Sequence, residues 1–127
     1  MKEIRVASLS FRRDKFFRDR DSCAEWWKIS CAQCGQDILL YQKDGHGKLF
    51  RCYLNRIFAP TKYAELQNDK TMTVKKMPRF TCPKCNTLIG VPMLHREGRF
   101  AFKLIRETWV KYKLDEAGAK EFKKDVG

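Results

Sequence analysis

The sequence predicts an all-β or β-rich α+β fold, made of two knuckle-and-hairpin units that share one four-cysteine site. Three observations lead there. Cys31-Ala-Gln-Cys34 and Cys82-Pro-Lys-Cys85 are paired thiols with the same i, i+3 spacing. Sliding the chain so that Cys31 falls on Cys82 also lays Gly35 on Asn86, Gly47 on Gly98, Lys48 on Arg99 and Leu49 on Phe100. After each pair, apolar and polar residues alternate in segments separated by Gly-containing turns, the period of strands rather than helices.

Read in order, residues 1–22 form a basic N-terminal segment. Residues 1–11 alternate loosely through Ile4, Val6, Leu9 and Phe11 and predict an edge strand. Residues 12–22 mix both charge signs around Phe16 and Phe17, which predicts an exposed turn or short helix with one apolar anchor. A basic arm and a solvated linker fit this composition equally.

Residues 23–58 make the first knuckle-hairpin. A strand over 25–31 runs into the first cysteine pair. Adjacent Trp26 and Trp27 must point to opposite faces of it, so one is core and the other is not. A strand over 38–42, a turn over 43–47 and a long returning strand over 48–58 follow. In that strand Phe50, Cys52, Leu54 and Phe58 make the core face, interrupted by Arg56. Leu49, Arg51, Tyr53, Asn55 and Ile57 make the other.

Residues 59–79 read as an inserted loop: Ala59-Pro60 ends the strand, 63–67 make one helical turn, and 71–76 a short strand. Loops of this length often carry partner contacts. Residues 80–114 repeat the plan, with a strand over 87–94 whose Gly90 and Pro92 suit an edge or bulge, and a turn over 96–98. Sixteen alternating residues over 99–114 give the clearest strand signal. Phe100, Phe102, Leu104, Thr108, Val110, Tyr112 and Leu114 share one face, with Arg106 as the exception. Arg99, Ala101, Lys103, Ile105, Glu107, Trp109, Lys111 and Lys113 share the other. Residues 115–127 form a short polar helix, over 116–124, or a tail.

Four soft thiolates in two such pairs suit Zn²⁺, which takes a tetrahedral sulfur shell at about 2.3 Å per bond. Cys31, Cys34, Cys82 and Cys85 are the expected ligands, and a rubredoxin-like iron site would use the same set. Gly35 and Asn86 sit where each knuckle needs a left-handed residue. About fifty residues separate the pairs, against roughly 12–20 in a minimal zinc ribbon, so a subdomain lies between them. Six cysteines would also fit a secreted disulfide scaffold, but no apolar signal segment opens the chain and its first twenty residues are rich in Lys and Arg. The expected setting is an intracellular, reducing compartment: cytoplasm, nucleus or organelle matrix. Cys52 alternates with apolar neighbours and reads as a small buried hydrophobe, and Cys23 lies beside charge and is expected exposed. His46, in Asp-Gly-His-Gly, reads as a turn residue rather than a base.

A chain of 127 residues with 43% hydrophobic content is read as one domain, 1–127, with a core helped by the metal. No apolar run is long enough to span a membrane. A formal charge of +12 predicts a polyanionic partner, nucleic acid first. Arg99, Lys103, Lys111 and Lys113 around Trp109 on the last strand, with Lys48, Arg51 and Arg56 around Tyr53 in the first unit, are the expected nucleic-acid-binding residues. Lysines there would neutralise phosphates and an exposed indole would stack on a base. Burial of Trp109 beneath the N-terminal segment is the competing reading.

Cys31, Cys34, Cys82 and Cys85, with Gly90 after the second pair in Cys-Pro-Lys-Cys-Asn-Thr-Leu-Ile-Gly, resemble the zinc-binding β-tent group over roughly residues 26–114. That group includes Yippee-like proteins, the ligand-binding domain of cereblon and methionine-R-sulfoxide reductases. The resemblance implies two hairpin-bearing halves clasped by one zinc ion. It does not extend to the reductases' chemistry, because residues 86–127 hold no cysteine. A cereblon-like pocket would need Trp26, Trp27 and Trp109 gathered into a cage. Zinc-ribbon proteins of the transcription and translation machinery are similar in ligands and basicity, with a shorter insert.

The four cysteines would fill a metal's coordination sphere and leave no open position, so one structural zinc is expected rather than a catalytic one. No paired carboxylates, phosphate loop or nucleophile triad is visible. The expectation is a non-enzymatic zinc module that binds RNA or DNA or serves a ribonucleoprotein. Two alternatives are a protein–protein adaptor working through 59–79 and the aromatic faces, and a small-ligand-binding β-tent domain.

Overall fold

The computed structural model describes residues 9–126. Their elements are α1 (Lys15–Asp19), β1 (Ala24–Cys31), β2 (Asp37–Asp44), β3 (Arg51–Tyr53), β4 (Ile57–Ala59), α2 (Thr61–Ala64), β5 (Phe80–Thr81), β6 (Leu88–Leu94), β7 (Phe100–Leu104), β8 (Trp109–Leu114) and α3 (Glu116–Val126). Single 3₁₀ turns cover Leu54–Arg56, Glu65–Asn68 and Val74–Lys76. The strands make two antiparallel sheets, one in the order β4-β2-β1-β8 and one in the order β3-β7-β6-β5. The fold is β-rich, with two sheets and one four-cysteine cluster.

Each cysteine knuckle is the turn of a hairpin. The first joins β1 to β2, and the second joins β5 to β6. The triplets β4-β2-β1 and β7-β6-β5 therefore occupy matching places in their sheets, although the slide that overlays the cysteines lays β7 on β3 rather than on β4, and the fourth strands do not match. β3 joins the second sheet beside β7, pairing Cys52 with Phe102. β8 joins the first sheet beside β1, pairing Ile29 with Lys111 and Cys31 with Trp109.

Both long strands read from alternation are broken where they change sheet. The expected strand over 99–114 ends at Leu104 and restarts at Trp109. Between them Glu107 is left-handed (φ 67°), and the Thr108 hydroxyl donates 2.7 Å to the Ile105 carbonyl. The expected strand over 48–58 is β3, a 3₁₀ turn and then β4, so no hairpin closes through 43–47; β2 itself runs to Asp44. The second hairpin does form as expected, with His95 N–H donating to Arg99 O at 2.8 Å and Gly98 at φ 83°. Alternation measures which side a residue takes, not where a strand ends.

Two apolar clusters result. Ile29, Leu39, Tyr41, Cys52, Phe80, Ile89 and Phe102 pack together as the larger one. Residues 59–79, expected as an open loop, largely cover it: Tyr63 and Met77 are buried, and the Tyr63 ring meets Phe80 and Phe102 edge-on at 5.3 and 5.7 Å. Val74–Lys76 is a 3₁₀ turn capped by Thr73, not a strand. The smaller cluster lies on the other side of the first sheet. There Leu9, Leu40, Ala59, Ala119 and Phe122 surround Trp26, whose ring stacks on Phe11 at 4.5 Å and meets Phe58 edge-on at 4.9 Å. α3 supplies Ala119 and Phe122 at helical spacing, and Asp115 caps its start by accepting from Gly118 N–H at 2.7 Å. Phe58 thus belongs to this cluster, and Phe50, expected in the core, is 62% exposed. Val110 and Tyr112 are exposed on the edge strand β8.

The expected edge strand over 1–11 lies outside the described residues up to position 8; Leu9 and Phe11 pack without pairing as a strand. Buried Gln42 holds that segment instead. Its Oε1 accepts from Arg12 N–H at 2.7 Å and its Nε2 donates to Arg12 O at 2.9 Å.

Arg56 ties the same corner down. It is 1% exposed and forms ion pairs with Asp14 at 2.6 Å and Asp44 at 2.7 Å, linking the N-cap of α1, the 3₁₀ turn and the end of β2. Partial burial opposes the charge on Asp14, but Arg56 and the Phe17 N–H outweigh it and hold the carboxyl at about 2. Removing one partner of a buried pair leaves the other charge uncompensated. Arg56→Met is therefore expected to lower unfolding free energy by about 3–5 kcal/mol in chemical denaturation. Because Asp14 is depressed below its ordinary 3.8, its contribution is present above that value and fades as pH falls toward about 2. The stability gap between the native chain and Asp14→Asn should be widest above about pH 4 and close on acidification.

Candidate metal centre and basic clefts

The two knuckles have the same backbone construction. In the first, Cys31 N–H donates to Gln36 O at 2.8 Å and Gly35 N–H to Cys31 O at 2.9 Å; in the second, Cys82 N–H donates to Thr87 O and Asn86 N–H to Cys82 O, both at 2.9 Å. Gly35 (φ 79°) and Asn86 (φ 65°) take the left-handed exit expected of them. Gln33 N–H and Lys84 N–H point at the sulfurs of Cys31 and Cys82, at 3.3 and 3.4 Å, where they stabilise thiolate charge.

These turns bring Cys31, Cys34, Cys82 and Cys85 together, every sulfur within 4.8 Å of the others. Cys31 and Cys85 are 3.6 Å apart, and Cys34 and Cys82 are 3.5 Å apart. A tetrahedron with bonds of about 2.3 Å has edges of about 3.8 Å, so the cluster fits a four-sulfur metal site. Cys31 and Cys82 are buried, and Cys34 and Cys85 face solvent, which leaves the site at the rim with a route for an ion. The Thr87 hydroxyl and then its N–H hold Cys85 down to about 6. At Cys34 the Gln36 N–H favours the thiolate, but partial desolvation and proton sharing with Cys82, Cys85 and Cys31 win and raise it to about 11.

Cys52 is fully buried, and burial pushes its thiol well up, as expected of a packing residue. Cys23 is not alone: its sulfur lies 3.4 Å from Nε2 of His46, a residue whose sequence context suggests only a turn. No local pattern joins them. Gly45 N–H, donating 2.9 Å to Cys23 O, brings the two segments into contact.

The expected nucleic-acid residues do not form one strand face. Lys103 is exposed on β7 in the second sheet, opposite Arg51, whereas Trp109, Lys111 and Lys113 are on β8 in the first. Arg56 is consumed by its ion pairs. Arg99 is 8% exposed, its guanidinium lying over the rings of Phe16 at 3.9 Å and Tyr53 at 3.7 Å, with Nη2 donating 2.9 Å to Asn55 Oδ1. Lys113 pairs with Glu25 at 2.8 Å, and Lys111 Nζ lies 4.7 Å from the Trp27 ring centre. Alternation places Arg99 on a strand's outer face and Arg56 as a polar interruption of a core face, but Arg99 precedes β7 and Arg56 lies in the 3₁₀ turn after β3.

Two neighbouring clefts emerge instead. One, of about 440 Å³, is lined by Lys48, Leu49, Phe50, Leu104, Arg106, Glu107, Trp109 and Lys111. It sets the exposed Phe50 ring and half-buried Trp109 among three cations. Trp109 also packs against the larger core cluster. The other cleft shares the 48–50 segment and is walled by Arg and Lys.

The three tryptophans do not make a cage. Trp26 is on one face of β1, and Trp27 is on the other, four positions along the strand from the partner of Trp109. Comparison with family models, curated proteins and solved structures finds no match for this chain. The β-tent resemblance thus rests on the cysteine spacing and its associated sequence features. Among the described residues, no helix is long and apolar enough to cross a membrane.

Cys82→Ser is expected to abolish metal binding and unfold much of the chain, because ligand loss and folding are coupled in small metal domains. Cys52→Ala should keep the metal and cost about 1–2 kcal/mol, the order of a small buried deletion. Native mass spectrometry and thermal melting separate the two outcomes.

Proposed function

We propose that this chain is a non-enzymatic structural-zinc module that binds nucleic acid through the cleft between the 48–50 segment and β8. The four-sulfur shell supports zinc, because a closed tetrahedral thiolate set offers no position for substrate and is the usual structural arrangement for that ion. Four thiols kept free for a metal also suit a reducing intracellular compartment. The observation that carries the binding reading is the exposed Phe50 ring facing the same cleft as Trp109, Lys48, Arg106 and Lys111. The Phe50 ring, 62% exposed beside half-buried Trp109, leaves an aromatic surface open for stacking. Aromatic faces interleaved with cations are the means by which single strands are held: bases stack and phosphates are neutralised.

Of the residues expected from sequence, Lys48, Trp109 and Lys111 line this cleft. Arg51 and Lys103 are neighbours across the β3–β7 pair and extend the basic surface. An adaptor function draws on a different feature, Val110 and Tyr112 exposed on the edge strand β8, which would accept a partner strand.

Phe50→Ala separates stacking from folding, because its ring is exposed and its loss should leave the melting temperature unchanged. Affinity for single-stranded RNA or DNA, measured by fluorescence anisotropy, should weaken by about 1–3 kcal/mol. Lys48→Glu with Lys111→Glu should weaken binding to all sequences and flatten the salt dependence. Absent or salt-insensitive binding at low ionic strength rejects the reading and favours the adaptor.

A further inference from the structure

The cleft on the far side of the 48–50 segment is walled by Arg20, Lys43, Lys48, Arg51, Arg56 and Arg99, and among the described residues Asp44 is the one carboxylate that lines it. Several of these cations are out of water. Lys43, Arg56 and Arg99 are buried, together with Tyr41 and Gln42. Burying a cation is strongly unfavourable unless it is paired and fully hydrogen-bonded.

The pairing within the described residues falls short. Arg56 takes both Asp14 and Asp44. Arg99 has Glu97 as its carboxylate partner, at 3.7 Å, with Nη2 donating to Asn55 and the guanidinium lying over the Phe16 and Tyr53 rings, and its Nε is buried with no hydrogen-bond partner. Lys43 Nζ donates to the carbonyls of Asp44, at 2.9 Å, and Gly45, at 3.5 Å, and no carboxylate of the described residues lies within ion-pair distance. Arg51 donates to the Tyr53 hydroxyl at 3.3 Å, and neither Arg20 nor Lys48 forms an ion pair among the described residues. Burial, then repulsion from Arg20 and Lys111, lowers Lys43 below its ordinary value; burial, then Arg56, does the same for Arg99. Each would be relieved by a negative charge in the space they share.

The space is small, about 50 Å³, enough for a few water-sized groups and too small for a base ring. We propose that this pocket is an oxoanion site that receives one phosphate group, held by Lys43, Arg51 and Arg99 with Lys48 and Arg20 at its mouth. Two sources carry that chemistry: a free or small-molecule phosphate, and the terminal phosphate of a polynucleotide whose adjacent base enters the neighbouring aromatic cleft. The site does not depend on the nucleic-acid interface, because its cations need an anion whichever source supplies it.

The test uses the metal-loaded full chain. Inorganic phosphate, compared with chloride at matched ionic strength, should raise the melting temperature with a saturable dependence on concentration, as a ligand bound only to the folded state does. Lys43→Gln with Arg51→Gln should remove that rise while metal content and near-ultraviolet circular dichroism stay native. Lys103→Gln, outside the pocket, should retain it. Oligonucleotides of one sequence with a 5′-phosphate or a 5′-hydroxyl then identify the source. A phosphorylated end preferred tenfold or more, and competing with inorganic phosphate, assigns the site to a polynucleotide terminus. Equal binding of both ends alongside pocket-dependent phosphate stabilisation assigns it to small phosphates. No saturable stabilisation, or one of equal size in the double variant, overturns the site.

Discussion

Everything in this fold is arranged around four sulfur atoms brought to one point by two turns that are distant in sequence and alike in construction. Each knuckle closes a hairpin, so fixing the knuckles fixes the mutual placement of the first strands of both sheets. Four thiolates this close would repel one another. A divalent cation held there would offset that repulsion and tie both turns to one centre. The hydrophobic clusters supply buried area, but β3, β4 and β5 are only two or three residues long. Strands that short do not persist without a clamp at one end.

At the other end the structure is held by polar chemistry. Arg56 between two aspartates, Gln42 bound to the backbone of Arg12, and Arg99 between two aromatic rings gather the N-terminal segment, β2 and the turn after β3 around buried cations. Nearby the 48–50 segment separates an aromatic cleft from a basic one. The proposed functions occupy these clefts rather than the cysteine cluster, because four thiolates would close a metal's shell and the clefts hold the exposed ring and the under-paired charges.

The knuckles were legible in the sequence because their determinants are local: two cysteines three apart, followed by a residue that tolerates the left-handed region. Hairpin β6–β7 and helix α3 were legible for the same reason. What alternation concealed was the change of sheet. Arg56 and Arg106 stood out as polar interruptions of otherwise apolar faces, and each marks a break: Arg56 lies in the 3₁₀ turn, and Arg106 precedes left-handed Glu107. A period of two survives across such a break, so both strands looked continuous. The basic face failed with them, since Lys103 and Lys111 belong to different sheets. Contacts set by tertiary structure alone, such as Cys23 with His46 or Arg99 with Phe16, left no trace in spacing.

The unlike placement of β3 and β8 has a consequence for how the molecule comes into being. Each half of the repeat lends one strand to the sheet founded by the other, so the halves are interlocked rather than merely adjacent. β1 gains its outer neighbour from a segment about eighty residues later. An N-terminal fragment would therefore carry one sheet with an unfinished edge and β3 without its partner β7. During synthesis, closure of both sheets has to wait for nearly the whole described chain.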